Sequence, residues 1–100
     1  MGKINWTQEA EKWMREIYYY IAEDSKDTAK KIINAIYKRV EVLEKFPLLG
    51  QRLLDWKNRN IRMLLYGHYR IVYLIKEDDS IDILGVFHGA LELEKYLPKK

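Results

Sequence analysis

The spacing of apolar residues switches from a helical to a strand period at "FPLLG" (Phe46–Gly50), and that switch constrains the fold more than any other feature. Before it, Ala10, Trp13, Met14, Ile17, Tyr20 and Ile21 recur at steps of three and four, and Ala29, Ile32, Ile33, Ile36, Val40 and Leu43 repeat the pattern. Each set collects into one stripe of a helix. Thr7 and Ser25 stand where N-caps belong, with Glu9, Glu11 and Asp27 in the first turns, so helices are expected from about Gln8 to Asp24 and from Ser25 to Phe46. Pro47 then lacks a donor and presses Phe46 out of helical geometry, while Gly50 permits a turn.

After Gly50 the runs Ile61–Tyr66, Tyr69–Lys76 and Ile81–His88 are rich in β-branched and aromatic residues, and "GH" and "EDDS" separate them. They predict an antiparallel meander. Lys3–Trp6 is a further short strand candidate, and "ALELEKYL" (Ala90–Leu97) a closing helix. The order predicts an α+β fold of one domain over residues 1–100: an N-terminal strand, an antiparallel helical hairpin packed on a twisted antiparallel sheet, and a short C-terminal helix.

Composition narrows the chemistry. There is no cysteine, and the two histidines stand 20 positions apart, so neither a disulfide framework nor a zinc-ligand spacing is present. No metal or cofactor is expected. The apolar runs fall short of the roughly 20 residues that cross a bilayer, and the expectation is a cytoplasmic protein without membrane contact. The net charge is only +3, but residues 51–70 carry Arg52, Lys57, Arg59, Arg62 and Arg70 against one acid, Asp55, whereas residues 1–50 balance nine bases against eight acids. A basic stretch suits an anionic partner, and it also suits an ordinary solvated loop. Arg52, Arg59, Arg62 and Arg70 are the candidate anion- or target-binding residues.

Side chains alternate across a strand, so parity divides the three runs into two faces. Ile61, Met63, Leu65, Tyr69, Ile71, Tyr73, Ile75, Ile81, Ile83 and Phe87 form an uncharged set expected to receive the helices. The other set, including Arg62, Leu64, Tyr66, Arg70, Leu84, Val86 and His88, is expected to look outward. A three-residue turn at Asp78–Ser80 would oppose Arg70 and His88, giving with Arg62 a cationic notch for phosphate or carboxylate. A two-residue turn would set Arg70 and His88 on opposite faces, and Arg70 could instead bridge Asp82 or a backbone carbonyl.

"INWTQEAEKWMREIYYYIAEDSKDTAKKII", "LEKFPLLGQRL", "NIRMLLYGHYRIVYLI" and "IDILGVFHGA" together resemble the ParE/RelE superfamily of bacterial type II toxin–antitoxin and plasmid stabilisation systems. The resemblance covers Ile4 to about Ala90. It implies the same strand, helical hairpin and sheet, and a cognate antitoxin whose disordered segment folds across the toxin. Leu64, Tyr66, Leu84 and Val86 are the partner-binding candidates on the outward face. RelE-like members are ribosome-dependent mRNA endonucleases; in that branch Arg70, at the arginine of "YR-x-x-Y", would stabilise the phosphate and His88 would act as acid or base. ParE-like members inhibit DNA gyrase without a catalytic set. Leu91, Glu92, Leu93 and Glu94 follow "FHGA" in place of the basic and aromatic residues of the nuclease, and with the long helical hairpin they favour the ParE-like branch. A non-toxic binding domain on the same fold is the remaining alternative.

Overall fold

Thr7 and Ser25 fix where the helices begin. The structure is a computed structural model that describes residues 3–56 and 59–88. In it the Thr7 hydroxyl accepts from the Ala10 N–H at 3.1 Å and donates to the Ile83 carbonyl at 2.7 Å, so one side chain caps a helix and ties it to the sheet. Ser25 accepts from the Thr28 N–H at 3.1 Å. Such caps are each worth about 1 kcal/mol. The chain runs β1 (Ile4–Trp6), α1 (Gln8–Ala22), α2 (Lys26–Glu41), a 3-10 turn (Val42–Glu44), β2 (Gln51–Arg52), β3 (Asn60–Tyr66), β4 (Tyr69–Ile75) and β5 (Ile81–His88). The second helix therefore ends at Glu41 and tightens into the 3-10 turn rather than continuing to Phe46, and Pro47 disfavours helical geometry at Phe46 beyond it. The expected C-terminal helix at Ala90–Leu97 lies outside the described residues.

The five strands lie in the order β1-β5-β4-β3-β2. The sheet is mixed rather than wholly antiparallel, since β1 pairs parallel to β5, with Ile4 opposite Ile81 and Trp6 opposite Ile83. A parallel pair needs a long connection, and the helical hairpin and the meander supply it. Strand β2 has only two residues, too few for alternation to reveal.

Register corrects the two faces read from parity. Tyr66 pairs with Tyr69 across Gly67 and His68, with Gly67 at a φ of 57° as this two-residue turn requires. Partners across such a turn have opposite parity, so Leu64, not Leu65, lies opposite Ile71. A second shift occurs in β5. Val72 pairs with Gly85 but Tyr73 with Ile83, which leaves Leu84 as the extra residue of a bulge and turns everything after it to the other face.

The helix-packed core consequently contains Leu64, Ile71, Tyr73, Ile81, Ile83 and Val86, with Ala10, Met14, Ile36, Val40 and Leu43 from the helical side. Complete burial of one such aliphatic side chain contributes about 1.5–3 kcal/mol. The opposite face is not simply outward. Ile61, Val72 and Phe87 form a second cluster there, closed by Trp56 from the segment after β2 and flanked by Trp13 of α1. Trp13 meets Phe87 edge-on at 5.1 Å between ring centroids.

Candidate partner-binding surfaces

Arg70 and His88 do not share a site. Arg70 lies opposite Phe87, whereas His88 lies opposite Tyr69, so the two point to opposite faces of the sheet. The turn between β4 and β5 does span three residues, Glu77–Asp79, with the Lys76 N–H donating to the Ser80 carbonyl at 2.8 Å and Asp79 left-handed at a φ of 68°. It is one residue earlier than expected, which preserves parity; the bulge at Leu84 is what separates Arg70 from His88. Nor does Arg70 bridge Asp82, whose carboxylate receives Lys76 at 3.5 Å and Asn5 at 3.3 Å.

Arg62 is also removed from the expected notch. It lies opposite Tyr73, on the face away from Arg70, and its guanidinium is turned into the chain. Nη1 donates to the carbonyls of Gly50 at 2.8 Å and Leu48 at 3.2 Å, and Nε to Asn60 Oδ1 at 3.0 Å. Arg52 and Arg59 do come together, along an open groove that also includes Lys76, Glu77 and Asp79, so acids are mixed with the bases there. Of the partner-binding candidates, Leu64 and Val86 are buried in the helix-packed core and are unavailable on an outward face, while Tyr66 and Leu84 are half-buried. Leu64 is misplaced by the parity of the two-residue turn, and Val86 by the bulge.

Two surfaces that alternation could not show take their place. The first is a concave groove of about 440 Å³ between α1 and the ends of β4 and β5, lined by Trp13, Glu16, Ile17, Tyr20, Tyr69, Val86 and His88. Its size is that of a binding cleft. Tyr20 is 79% exposed at its rim. Burial pushes the Tyr69 hydroxyl up from its ordinary pKa, and the neighbouring Tyr20 phenol adds to the effect. His88 stacks edge-on with Tyr69 at 5.6 Å and lies 6.0 Å from the His68 ring.

The second is convex, the turn Phe46–Leu49, closed by the Leu49 N–H donating to the Phe46 carbonyl at 3.1 Å. Phe46, Leu48 and Leu49 are exposed, whereas the backbone beneath them is held from inside. The Tyr73 side chain, fully buried, donates its hydroxyl to the Pro47 carbonyl at 2.7 Å and accepts the Gly50 N–H at 2.9 Å. Burial raises the Tyr73 pKa, and the Gly50 N–H and the Arg62 charge offset part of that rise. Gly50 is required by close approach, because a Cβ there would sit 2.7 Å from Tyr73 Oη and 2.9 Å from the Met63 carbonyl. The proline and glycine of "PLLG" were visible as a turn, but nothing in the sequence ties them to Tyr73 and Arg62. Among the described residues no helix is long and apolar enough to cross a membrane, and no three histidine, aspartate or glutamate side chains gather as a metal site.

Solved structures share this fold, two toxin–antitoxin systems among them. The chromosomal ParDE toxin–antitoxin system from P. aeruginosa superposes with a TM-score of 0.72 at 21% identity, over 88% of this chain and 96% of that one. The RelBE2 toxin–antitoxin complex from Mycobacterium tuberculosis gives 0.67 at 20% identity, over 87% of this chain and 96% of that one. At such identities the likeness concerns the fold. No curated protein matches the chain. The family model described as ParE toxin of the type II toxin–antitoxin system, parDE, matches residues 4–92, and the chain belongs to that family.

Proposed function

We propose that this protein is the toxin of a type II module, that it acts by binding and inhibiting DNA gyrase, and that a cognate antitoxin neutralises it. The observation that carries the choice of target is the separation of Arg70 and His88. A nuclease reading needs a cation for the phosphate and an acid or base working on the same nucleotide, and the bulge at Leu84 puts these two candidates on opposite faces of the sheet. An inhibitor that acts by contact needs surfaces instead. Both similar structures are toxin–antitoxin systems, which supports an antitoxin partner here. The groove beside α1 suits it: a disordered segment gains affinity by laying apolar side chains into a concavity, here lined by Ile17 and rimmed by Tyr20 and Tyr69.

The test sets the purified protein against gyrase and against translating ribosomes. Supercoiling should be impaired while mRNA stays intact. Ribosome-dependent mRNA cuts that disappear in His88→Ala or Arg70→Ala would overturn the proposal in favour of the nuclease alternative. Co-expression with the product of the adjacent reading frame should yield a complex through a single affinity tag.

A further inference from the structure

The Phe46–Leu49 turn combines features that folding alone does not explain. Phe46, Leu48 and Leu49 are 60%, 63% and 48% exposed, so three consecutive large apolar side chains, interrupted only by Pro47, gain little from burial. Yet the backbone that carries them is fixed by four hydrogen bonds from Tyr73 and Arg62, besides the bond that closes the turn itself. Exposed apolar side chains in one patch mark a contact surface, and fixing them in advance removes the ordering cost of binding. We propose that this turn is the contact by which the protein engages its target, inserting Leu48 and Leu49 into an apolar pocket of a folded protein.

The shape selects the class of partner. A short, convex, rigid turn cannot wrap a disordered segment; it fits a pocket that already exists on a folded surface, with little backbone change on either side. The concave groove of about 440 Å³ on α1 suits a segment that folds as it binds, and the turn does not. Lys45 next to the turn is exposed beside the equally exposed Glu44, and Arg52 lies in the open groove with Glu77 and Asp79, so the pocket that receives the turn is matched by its apolar side chains. The two surfaces assign the two partners to different parts of the molecule, an antitoxin segment to the groove and the target to the turn.

The inference rests on the reading that the protein acts by binding a protein target, and the experiment separates the two. A Leu48→Ser/Leu49→Ser double variant alters only exposed side chains and leaves Tyr73 and Arg62 in place. It should keep the native melting temperature and co-purify with the adjacent-frame product as the native chain does, but lose growth arrest on expression and inhibit gyrase at least tenfold less. Tyr73→Phe, with every apolar side chain of the turn retained, should inhibit less in proportion to how much the turn loosens. A double variant as potent as the native protein in both assays overturns the inference and leaves the gyrase reading standing. Growth arrest that the double variant loses, in a protein that leaves gyrase untouched, supports the turn and overturns gyrase as its target. A native protein harmless in both assays overturns both. Light scattering that shows a native dimer abolished by the double variant assigns the turn to a second copy of the chain and overturns the target contact.

Discussion

The groove beside α1 and the turn at Phe46–Leu49 both expose apolar side chains, but they are built in opposite ways. The groove is made from regular elements: α1 satisfies its own backbone, β4 and β5 satisfy theirs, and Trp13, Ile17, Tyr69 and Val86 line the space between them. The turn has no such ladder beneath it. The Pro47, Leu48 and Gly50 carbonyls and the Gly50 N–H are satisfied by the side chains of Tyr73 and Arg62, one from β4 and one from β3. A concavity can thus be a by-product of packing, whereas a rigid convex turn needs dedicated polar groups. The two regions should fail differently when perturbed.

The largest effect is expected from the packing that backs the groove. Phe87 is 3% exposed and holds Trp13 edge-on at 5.1 Å, so Phe87→Ala should cost about 3–5 kcal/mol and free the Trp13 ring that lines the groove. Urea denaturation measures it. A loss under about 1 kcal/mol would mean that the groove wall does not depend on the second cluster.

The clamp comes next. Gly50→Ala places a Cβ 2.7 Å from Tyr73 Oη and 2.9 Å from the Met63 carbonyl, and backbone cannot move aside cheaply. Overpacking of this kind costs about 1–3 kcal/mol. Tyr73→Phe keeps the ring and removes the hydroxyl, leaving the Gly50 N–H without that partner, at a similar cost of about 1–3 kcal/mol. Neither change touches the groove, so binding of the adjacent-frame product should survive both in the folded fraction; its loss would show the two regions to be coupled.

Sequence reasoning reached the fold and stopped short of these surfaces for a physical reason. Period and capping are local properties, and they located both helices, the N-terminal strand and the three strands of the meander, down to the Thr7 and Ser25 caps. Which face a strand residue occupies is local only within one strand. Between strands it depends on turn length and on bulges: the two-residue turn at Gly67–His68 moved Leu64 and Tyr66 to the helix side, and the extra residue Leu84 did the same to Val86 and His88. "GH" between two β runs was a readable hairpin signal, and its consequence for parity was available. The bulge was not, since Leu84 is an ordinary strand residue. Alternation makes Arg62 an anion-binding candidate and says nothing of what its long side chain reaches, which is the Gly50 and Leu48 carbonyls and Asn60.

The pH dependence sharpens the contrast at intermediate size. Tyr73 has its pKa raised in the folded state, above the ordinary 10.0. Between about pH 10 and the folded value, the unfolded chain has lost that proton and the native chain retains it, so stability is fully present below pH 10 and falls as pH rises through the folded pKa. Tyr69 at the groove shifts in the same direction. By the same linkage each hydroxyl contributes a share of the alkaline loss of stability, so Tyr73→Phe and Tyr69→Phe should each flatten it, the first by removing a clamp hydroxyl and the second without touching the clamp. Denaturation midpoints at pH 8, 10 and 11 for the three proteins decide it, and an unchanged slope in Tyr73→Phe would show that its ionisation does not govern the clamp.

The smallest effect on stability carries the most selective test. Tyr20 is 79% exposed, with its ring at the rim of the groove and little of it buried in the free protein. Removing it should change folding stability by no more than about 0.5 kcal/mol. Tyrosine nevertheless contributes disproportionately once a partner covers it, because a large rigid ring with few torsions is desolvated at low entropic cost. Tyr20→Ser should therefore weaken capture of the adjacent-frame product by about tenfold, close to 1.4 kcal/mol, while inhibition of gyrase stays at the native level. Isothermal titration gives the first quantity and a supercoiling assay the second. If Tyr20→Ser instead lowered gyrase inhibition and spared the antitoxin complex, the assignment of groove and turn to different partners would be reversed; if it lowered both, one extended surface would serve both partners.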